Sequence, residues 1–201
     1  DPSVIVISGA LSPTGGWVEP DGRVTAIDDF AFLQDQLNAG LLSYADCIGA
    51  HHNGINFPPD KSWDEGYDDP SATFRGPFDN PHHSWSFKST LQGYHDMIKQ
   101  AGGQQKLCVT EFGWATAEGF GGTPPGFEFA NDNTLAEQAE WDVQAFQLQR
   151  DWGTTWIAYL WNLNYANLSR DPADPNAPYS IVDFEGVPRP AYGALEQMEK
   201  P

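Results

Sequence analysis

Glu111 is the residue of this sequence best placed to do chemistry, because it is the single acid of the stretch Lys106–Trp114. The stretch reads KLCVTEFGW, and its run Leu107–Val109 predicts a strand that ends near the acid. A strand that delivers one acid to its C-terminal end, beside aromatic residues, is typical of enzymes whose catalytic groups lie where parallel strands end. A solvated glutamate at an ordinary strand end is the other interpretation, and this stretch alone favours neither.

Four repeats of strand, loop and amphipathic helix surround this acid. The predicted strands are Val4–Leu11, Ala45–His51, Lys106–Trp114 and Thr154–Trp161. The predicted helices cover about residues 29–38, 84–100, 134–151 and 191–199. Thr134 and Glu137 form the pattern of a capping box at the start of the third helix. Alternation at this spacing predicts an α/β fold with four consecutive β-α units, parallel strands and one domain over residues 1–201.

The composition limits the classes of partner. A formal charge of -18, from 28 acids against 10 bases, argues against nucleic acid and against anionic membrane surfaces. The sequence has no run of 18 apolar residues, so it predicts no membrane span. Eight Trp, seven Tyr and twelve Phe form a heavy aromatic load, and any excess near loops would suit stacking on sugar faces.

The first residues, DPSVIVIS, contain no signal peptide and lead directly into a predicted strand. We therefore expect either mature, processed material, which is compatible with an extracellular location, or a fragment. The long segment from about Asn53 to Ser84 is rich in Pro and aromatic residues and is predicted to be an ordered, functional loop.

Several segments together resemble one enzyme family. VISGALSPTG, CIGAHHNG, VTEFGW and AYLWNLN, in this order, resemble strands five to eight of the retaining glycoside hydrolases of clan A, which have (β/α)8 TIM barrels. PYSIVDFEGVPRPAYGAL resembles the segment that closes such barrels. The resemblance covers nearly the whole chain and implies half of a TIM barrel that acts on a carbohydrate substrate.

The resemblance also implies roles for single residues. Glu111 corresponds to the nucleophile at the end of strand seven, and Trp161 to the tryptophan that stacks on the sugar. His51, and with it His52, corresponds to residues at the end of strand six that line the same subsite. Asn162 follows Trp161 and could reach sugar hydroxyls, and Trp114 is a candidate for an outer subsite.

The chain departs from the family in one important respect. The general acid/base of the family lies at the end of strand four, and nothing here corresponds to strands one to four. The carboxylates of Asp64, Glu65, Glu118 and Glu128 are expected to be solvated loop acids. The chain alone is therefore expected to be inactive until the barrel is completed.

The two outer strands, Val4–Leu11 and Thr154–Trp161, would leave bare apolar edges. We expect the chain to pair with a separate N-terminal half or with a second copy of itself. A carbohydrate-binding module without turnover and a self-assembling half-barrel without catalysis are the alternatives to an enzyme.

Side-chain alternation makes two further predictions. If Glu111 and His51 point into the barrel, Cys47 points inward and Cys108 outward, so both thiols should be free. The pairs His51–His52 and His82–His83 would each offer one ligand at most, because neighbours in a strand point to opposite faces. No metal site and no cofactor are expected.

Overall fold

The structure, a computed structural model, describes residues 3–65 and 82–200. Its strands are β1 (Trp17–Val18), β2 (Val24–Ala26), β3 (Cys47–Gly54), β4 (Lys106–Trp114) and β5 (Thr155–Leu160). Its α-helices are α1 (Asp29–Asn38), α2 (Phe87–Gln100), α3 (Leu135–Trp152), α4 (Tyr165–Ser169) and α5 (Pro190–Gln197). Most of the predicted loop between Asn53 and Ser84 lies outside the described residues.

The main sheet is parallel, with the strand order β3-β4-β5. Helices connect its strands, which confirms the α/β class and the alternation of strand and helix. The segment predicted as a first strand, Val4–Leu11, runs beside β3 but pairs with it only at two isolated parallel bridges, Ile7 with Cys47 and Leu11 with Ala50. The side chains from Val4 to Ile7 are exposed.

A small antiparallel hairpin occupies a segment predicted to be loop. β1 and β2 are joined through a turn in which Gly22 adopts a φ of 85° and donates its N–H to the Glu19 carbonyl. The Asp-Gly dipeptide between valines is a hairpin signal, but strands of two and three residues carry too little alternation to be predicted.

The core lies between one face of the sheet and helices α1, α2 and α3. The sheet contributes Ile48 and Ala50 from β3, and Leu107, Val109, Phe112 and Trp114 from β4. The helices contribute Leu33 and Leu37, then Phe87, Leu91, Tyr94 and Ile98, and finally Trp141 and Ala145. Each fully buried Leu, Ile or Phe of this kind stabilises the fold by roughly 1.5–3 kcal/mol.

Helices α1, α2, α3 and α5 begin close to their predicted starts, whereas α4 is a helix that the sequence did not predict. The Thr134 side chain accepts the Glu137 N–H, and the Glu137 carboxylate accepts the Thr134 N–H at 2.8 Å, which confirms the capping box. The side chains of Asp28 and Ser86 also accept backbone N–H groups, at the starts of α1 and α2. α3 ends at Gly153, whose φ of 65° is the left-handed conformation that glycine adopts most readily.

Cys47 and Cys108 form a disulfide, with 5.8 Å between their Cα atoms, so the prediction of two free thiols is wrong. Gly49 pairs with Cys108, and Cys47 lies two residues before Gly49, so both sulfurs lie on one face. Strict alternation, counted back from His51 and Glu111, would place the two sulfurs on opposite faces. The register shifts by one residue immediately before that pair, which reverses the parity.

Within the two described ranges, no helix is both long enough and apolar enough to cross a bilayer.

Candidate functional site

β4 departs from strict alternation at Thr110 and Glu111. Val109 and Phe112 are three residues apart, yet both lie in the core shared with the helices. The register against β3 and β5 shifts at the same point. An extra residue of this kind is a β-bulge, which re-aims side chains. Thr110 and Glu111 therefore both lie on the face opposite the helices, near the C-terminal end of the strand.

β3 brings its own polar side chains to the same face. His51 pairs with Glu111 in the register, and Asn53 lies two residues further along the strand. His51 Nε2 forms a hydrogen bond with Thr110 Oγ1 at 2.8 Å, while its Nδ1 lies 3.7 Å from Glu111 Oε2. The amide of Asn53 donates to the same Glu111 oxygen at 3.5 Å.

The two oxygens of Glu111 have different surroundings. Oε2 faces both His51 and Asn53. Among residues 3–65 and 82–200, Oε1 accepts no hydrogen bond. The Glu111 side chain is 30% exposed, so solvent or a ligand can reach it. Oε2 thus has two polar protein neighbours, whereas Oε1 has no hydrogen-bond partner in the part of the chain that the structure describes.

The disulfide lies on the same face, and its Cys47 is four residues before His51 along β3. Between it and His51 lies Gly49, where an added Cβ would stand 2.5 Å from the Ser8 carbonyl oxygen. The missing side chain lets the segment before Leu11 approach β3 closely, so that His51 N–H can donate to the Leu11 carbonyl at 2.6 Å.

Trp161 lies at the end of β5, beside the end of β4. Its N–H donates to the Phe112 carbonyl at 2.7 Å, which places its backbone next to the residue after Glu111. Its half-buried ring packs against a small apolar cluster that includes Ala115, Phe129 and Tyr179. The peptide bond between Trp161 and Asn162 is cis.

The structure does not bring His52 to this face. His52 is buried beside the helices, where its Nε2 contacts the Ser84 carbonyl at 3.0 Å and its ring meets the Phe87 ring edge-on. Burial lowers the pKa of His52 to about 4, so the ring is neutral near pH 7.

Trp114 and Asn162 also have structural partners. Trp114 is fully buried in the core, and its Nε1–H donates to the Phe57 carbonyl at 2.9 Å. The Asn162 amide donates to the Asn176 carbonyl, and its oxygen accepts from the Ser180 hydroxyl at 2.6 Å. These contacts fasten the segment that follows β5. Of the six residues predicted for the site, only Glu111 and His51 are brought into contact.

Sequence reasoning missed Thr110 and Asn53. Strict alternation from Glu111 places Thr110 on the helix side, and the predicted strand ends at His51, before Asn53. The spacing of two residues between His51 and Asn53 is the signal that could have placed both on one face.

The loop acids have partners or exposure elsewhere. Glu118 accepts the Leu135 N–H at 2.8 Å at the start of α3. Glu65 accepts the Ser62 N–H at 2.8 Å and pairs with Lys88. Asp64 and Glu128 are exposed, as expected for solvated loop acids.

The histidine pairs differ from each other. His51 and His52 point to opposite faces of β3, as predicted. His82 and His83 instead lie at a 3-10 turn (His83–Trp85), and their ring centroids are 4.0 Å apart. Alternation of side chains in a strand therefore does not apply to His82 and His83, and both rings can lie near one ligand.

No protein-family model matches the chain, and no curated protein matches it. The fold is similar to that of a family 128 (subgroup II) endo-β-1,3-glucanase from Sorangium cellulosum, with a TM-score of 0.50 at 17% identity over 98% of this chain and 56% of that one. A family 39 glycoside hydrolase from the gut symbiont Bacteroides cellulosilyticus WH2 aligns with a TM-score of 0.48 at 16% identity, over 82% of this chain and 29% of that one. The chain thus spans about half of the first structure and less than a third of the second. The similarity supports an α/β fold like part of a barrel glycoside hydrolase.

Proposed function

We propose that this chain carries the nucleophile of a retaining glycoside hydrolase, and that Glu111 attacks the anomeric carbon of a bound sugar. The observation that carries the proposal is the arrangement of Glu111 at the end of β4. One of its oxygens faces His51 and Asn53, and the other is open. The similarity of the fold to part of an endo-β-1,3-glucanase supports a carbohydrate as substrate.

Each neighbour of Glu111 has a defined part in this mechanism. Thr110 fixes the His51 ring through Nε2, which directs Nδ1 toward Oε2 of the nucleophile. Asn53 restrains the same oxygen. Positioning of this kind matters because a nucleophile must be held close to its near-attack geometry. Oε1 then bonds to the anomeric carbon while the bond from that carbon to the leaving oxygen breaks, and water releases the sugar in a second step.

Trp161 is proposed as the platform for the sugar at the cleavage point. Its ring is only half buried, and an aromatic face stacks well on the apolar face of a pyranose. Tyr159, which is 58% exposed, follows Ala158, the partner of Val109, and therefore lies level with the bulge. It offers a second aromatic surface beside Glu111.

The component still to be assigned is the acid/base. A retaining mechanism needs a second carboxyl group about 5–5.5 Å from the nucleophile, which protonates the leaving oxygen and then activates water. Glu65 and Glu118 are engaged elsewhere. We therefore propose that residues 1–201 act as one half-barrel domain and that the acid/base comes from a complementing half.

The exposed edges support completion by another polypeptide segment. Val4–Ile7 is exposed beside β3, and β5 exposes Trp156. An N-terminal half-barrel or a second copy of the chain would cover them. Size-exclusion chromatography with light scattering tests this point, and a stable monomer of about 22 kDa would contradict it.

Activity is tested on the chain combined with a complementing half-barrel, using aryl β-glycosides and β-1,3-gluco-oligosaccharides. Glu111→Gln should lower kcat by several orders of magnitude, because it removes the nucleophile. Glu140→Gln, at an exposed acid of α3, is the matched control and should leave kcat unchanged. Equal activity of the Glu111 variant and the control would refute the proposal.

The second candidate is a carbohydrate-binding half-barrel without turnover. The contacts of Glu65 with Ser62 and Lys88, and of Glu118 with Leu135, favour it, because both acids are engaged away from catalysis. Saturable binding of the same oligosaccharides, lowered by Trp161→Ala but without any hydrolysis by the completed barrel, would support this alternative.

A further inference from the structure

A second group of polar side chains lies at the N-terminal end of α1, on the helix side of the sheet. It consists of Asp28, Asp29, His82 and His83. One oxygen of Asp28 and one ring nitrogen from each histidine all lie within 4.8 Å of one another. None of these residues contributes to the face that carries Glu111.

Asp28 divides its two oxygens between two tasks. Oδ1 accepts the N–H groups of Phe30 and Ala31, both at 3.1 Å, and so caps α1. Oδ2 faces His82 Nε2 at 3.3 Å. Neighbouring ligand atoms around a tetrahedral zinc ion are about 3.3 Å apart, given zinc–nitrogen bonds of about 2.0–2.1 Å. The pair already has the separation of two zinc ligands.

His83 is oriented by groups behind it. Its Nε2 lies 3.0 Å from both oxygens of Asp29, which is itself buried and accepts the Tyr94 hydroxyl at 2.6 Å. The His83 ring also stacks on Phe30, with centroids 3.7 Å apart. A carboxylate that accepts one ring N–H fixes the tautomer and leaves Nδ1 with the lone pair that a cation needs, as in carboxylate–histidine–zinc arrangements.

His82 has a comparable partner in Ser84. Its Nδ1 lies 2.8 Å from the Ser84 hydroxyl and 3.2 Å from the Ser84 N–H. Cation binding at Nε2 would move the ring proton to Nδ1, where the Ser84 hydroxyl oxygen can accept it. The longer contact with the Ser84 N–H would be given up.

We propose that Asp28, His82 and His83 form a site for one divalent transition-metal ion, with zinc as the best match. Two imidazoles and a carboxylate are ligands that zinc accepts, and water would complete its coordination. Asp28 and His82 are 30% and 29% exposed, so the ion can enter from solvent. The bound ion ties the start of α1 to the turn that precedes α2.

A coordinated ion requires the shift of the His82 ring proton and a movement of His83. The His83 nitrogen has to approach the other two ligand atoms by up to about 1.5 Å. The carboxylates of Asp28 and Asp29 beside the two imidazoles also favour a divalent cation.

The test is calorimetric titration of the untagged 201-residue chain with ZnCl2. The expected result is one zinc ion per chain, with a melting temperature that rises by about 5–10 °C when free zinc is 100 times Kd. Loss of a group that supports a metal ligand weakens metal binding roughly 10–100-fold. His82→Gln and His83→Gln each remove a ligand itself, so each should weaken zinc binding by more than this. Asp28→Asn keeps an oxygen to cap α1 and should also weaken binding.

His95→Gln, on α2, is the matched control and should bind zinc as the wild type does. Circular dichroism establishes that each variant is folded. X-ray absorption on the zinc-loaded wild type gives an independent reading and should show two histidine nitrogens at about 2.0 Å. No binding below millimolar zinc, or binding that survives both histidine substitutions, would overturn the proposal.

Discussion

Removing the Cys47–Cys108 disulfide should lower stability by an amount that the length of the loop it closes predicts. The two cysteines are 61 residues apart in sequence. In the chain-entropy model, closing a loop of this length stabilises the folded state by about 4 kcal/mol at 25 °C. Domains are commonly stable by only about 5–15 kcal/mol, so the change is large. In a chain of this size it corresponds to a melting temperature lower by roughly 8–16 °C.

The assay is equilibrium unfolding in urea, with and without a reducing agent. The wild type should lose about 4 kcal/mol on reduction. Both sulfurs are fully buried, so the samples must be reduced while unfolded and then refolded. The Cys47→Ala/Cys108→Ala variant is the control, and its stability should not respond to the reducing agent. Two thiols titrated in the unreduced, denatured wild type would refute the structural premise, and a loss below about 1 kcal/mol would refute the entropic reasoning.

Three further predictions concern buried or capping groups. Lowering the pH from about 6.5 to 4 should lower the free energy of unfolding by up to about 3 kcal/mol through His52. The unfolded chain takes up a proton over this range, whereas the buried ring, with its pKa lowered to about 4, does not. His52→Gln should remove this part of the pH dependence in urea unfolding. Burial raises the pKa of Asp142 well above its usual range, so Asp142→Asn should raise the urea midpoint at pH 7, and this gain should disappear toward pH 4. Thr134→Ala should lower the free energy of unfolding by about 1 kcal/mol, whereas Thr134→Ser should retain most of it, since only the serine keeps the oxygen that caps α3.

The helices and the parallel strands were predictable because each has a strong local signal. Thr134 with Glu137 marks the start of α3, and apolar residues at helical spacing fix the face that packs on the sheet. The segment Val4–Leu11 has an equally apolar sequence, yet forms only two bridges. Strand formation depends on the neighbouring strands and on the layer that packs against the segment, and the residues of the segment do not reveal these.

The site was predictable only in part, because a bulge at Thr110 reverses the parity of β4. Strict alternation correctly pairs His51 with Glu111 on one face but assigns Thr110 and Cys108 to the other. That single extra residue accounts for both the missed Thr110 contact and the wrong prediction of free thiols. Bulges leave no reliable mark in a single sequence, although they are common next to active sites.

The placement of His82 and His83 shows a second limit. Alternation applies to strands, and these residues lie at a 3-10 turn that brings both rings to one side. The opposite error occurred at Trp114 and His52. Their residue types suggested a ligand site, but both side chains are buried on the helix side of the sheet. In both cases the path of the backbone, which the residue types do not reveal, decided the outcome.

The nucleophile assignment is tested most directly by trapping it. The completed barrel is incubated with an activated 2-deoxy-2-fluoro glycoside, and the modified peptide is identified by mass spectrometry. We predict one covalent glycosyl group per chain, on the peptide that carries Glu111, and none in Glu111→Gln. Hydrolysis of a glycoside with the label on another carboxylate, or with inversion at the anomeric carbon, would contradict the assignment.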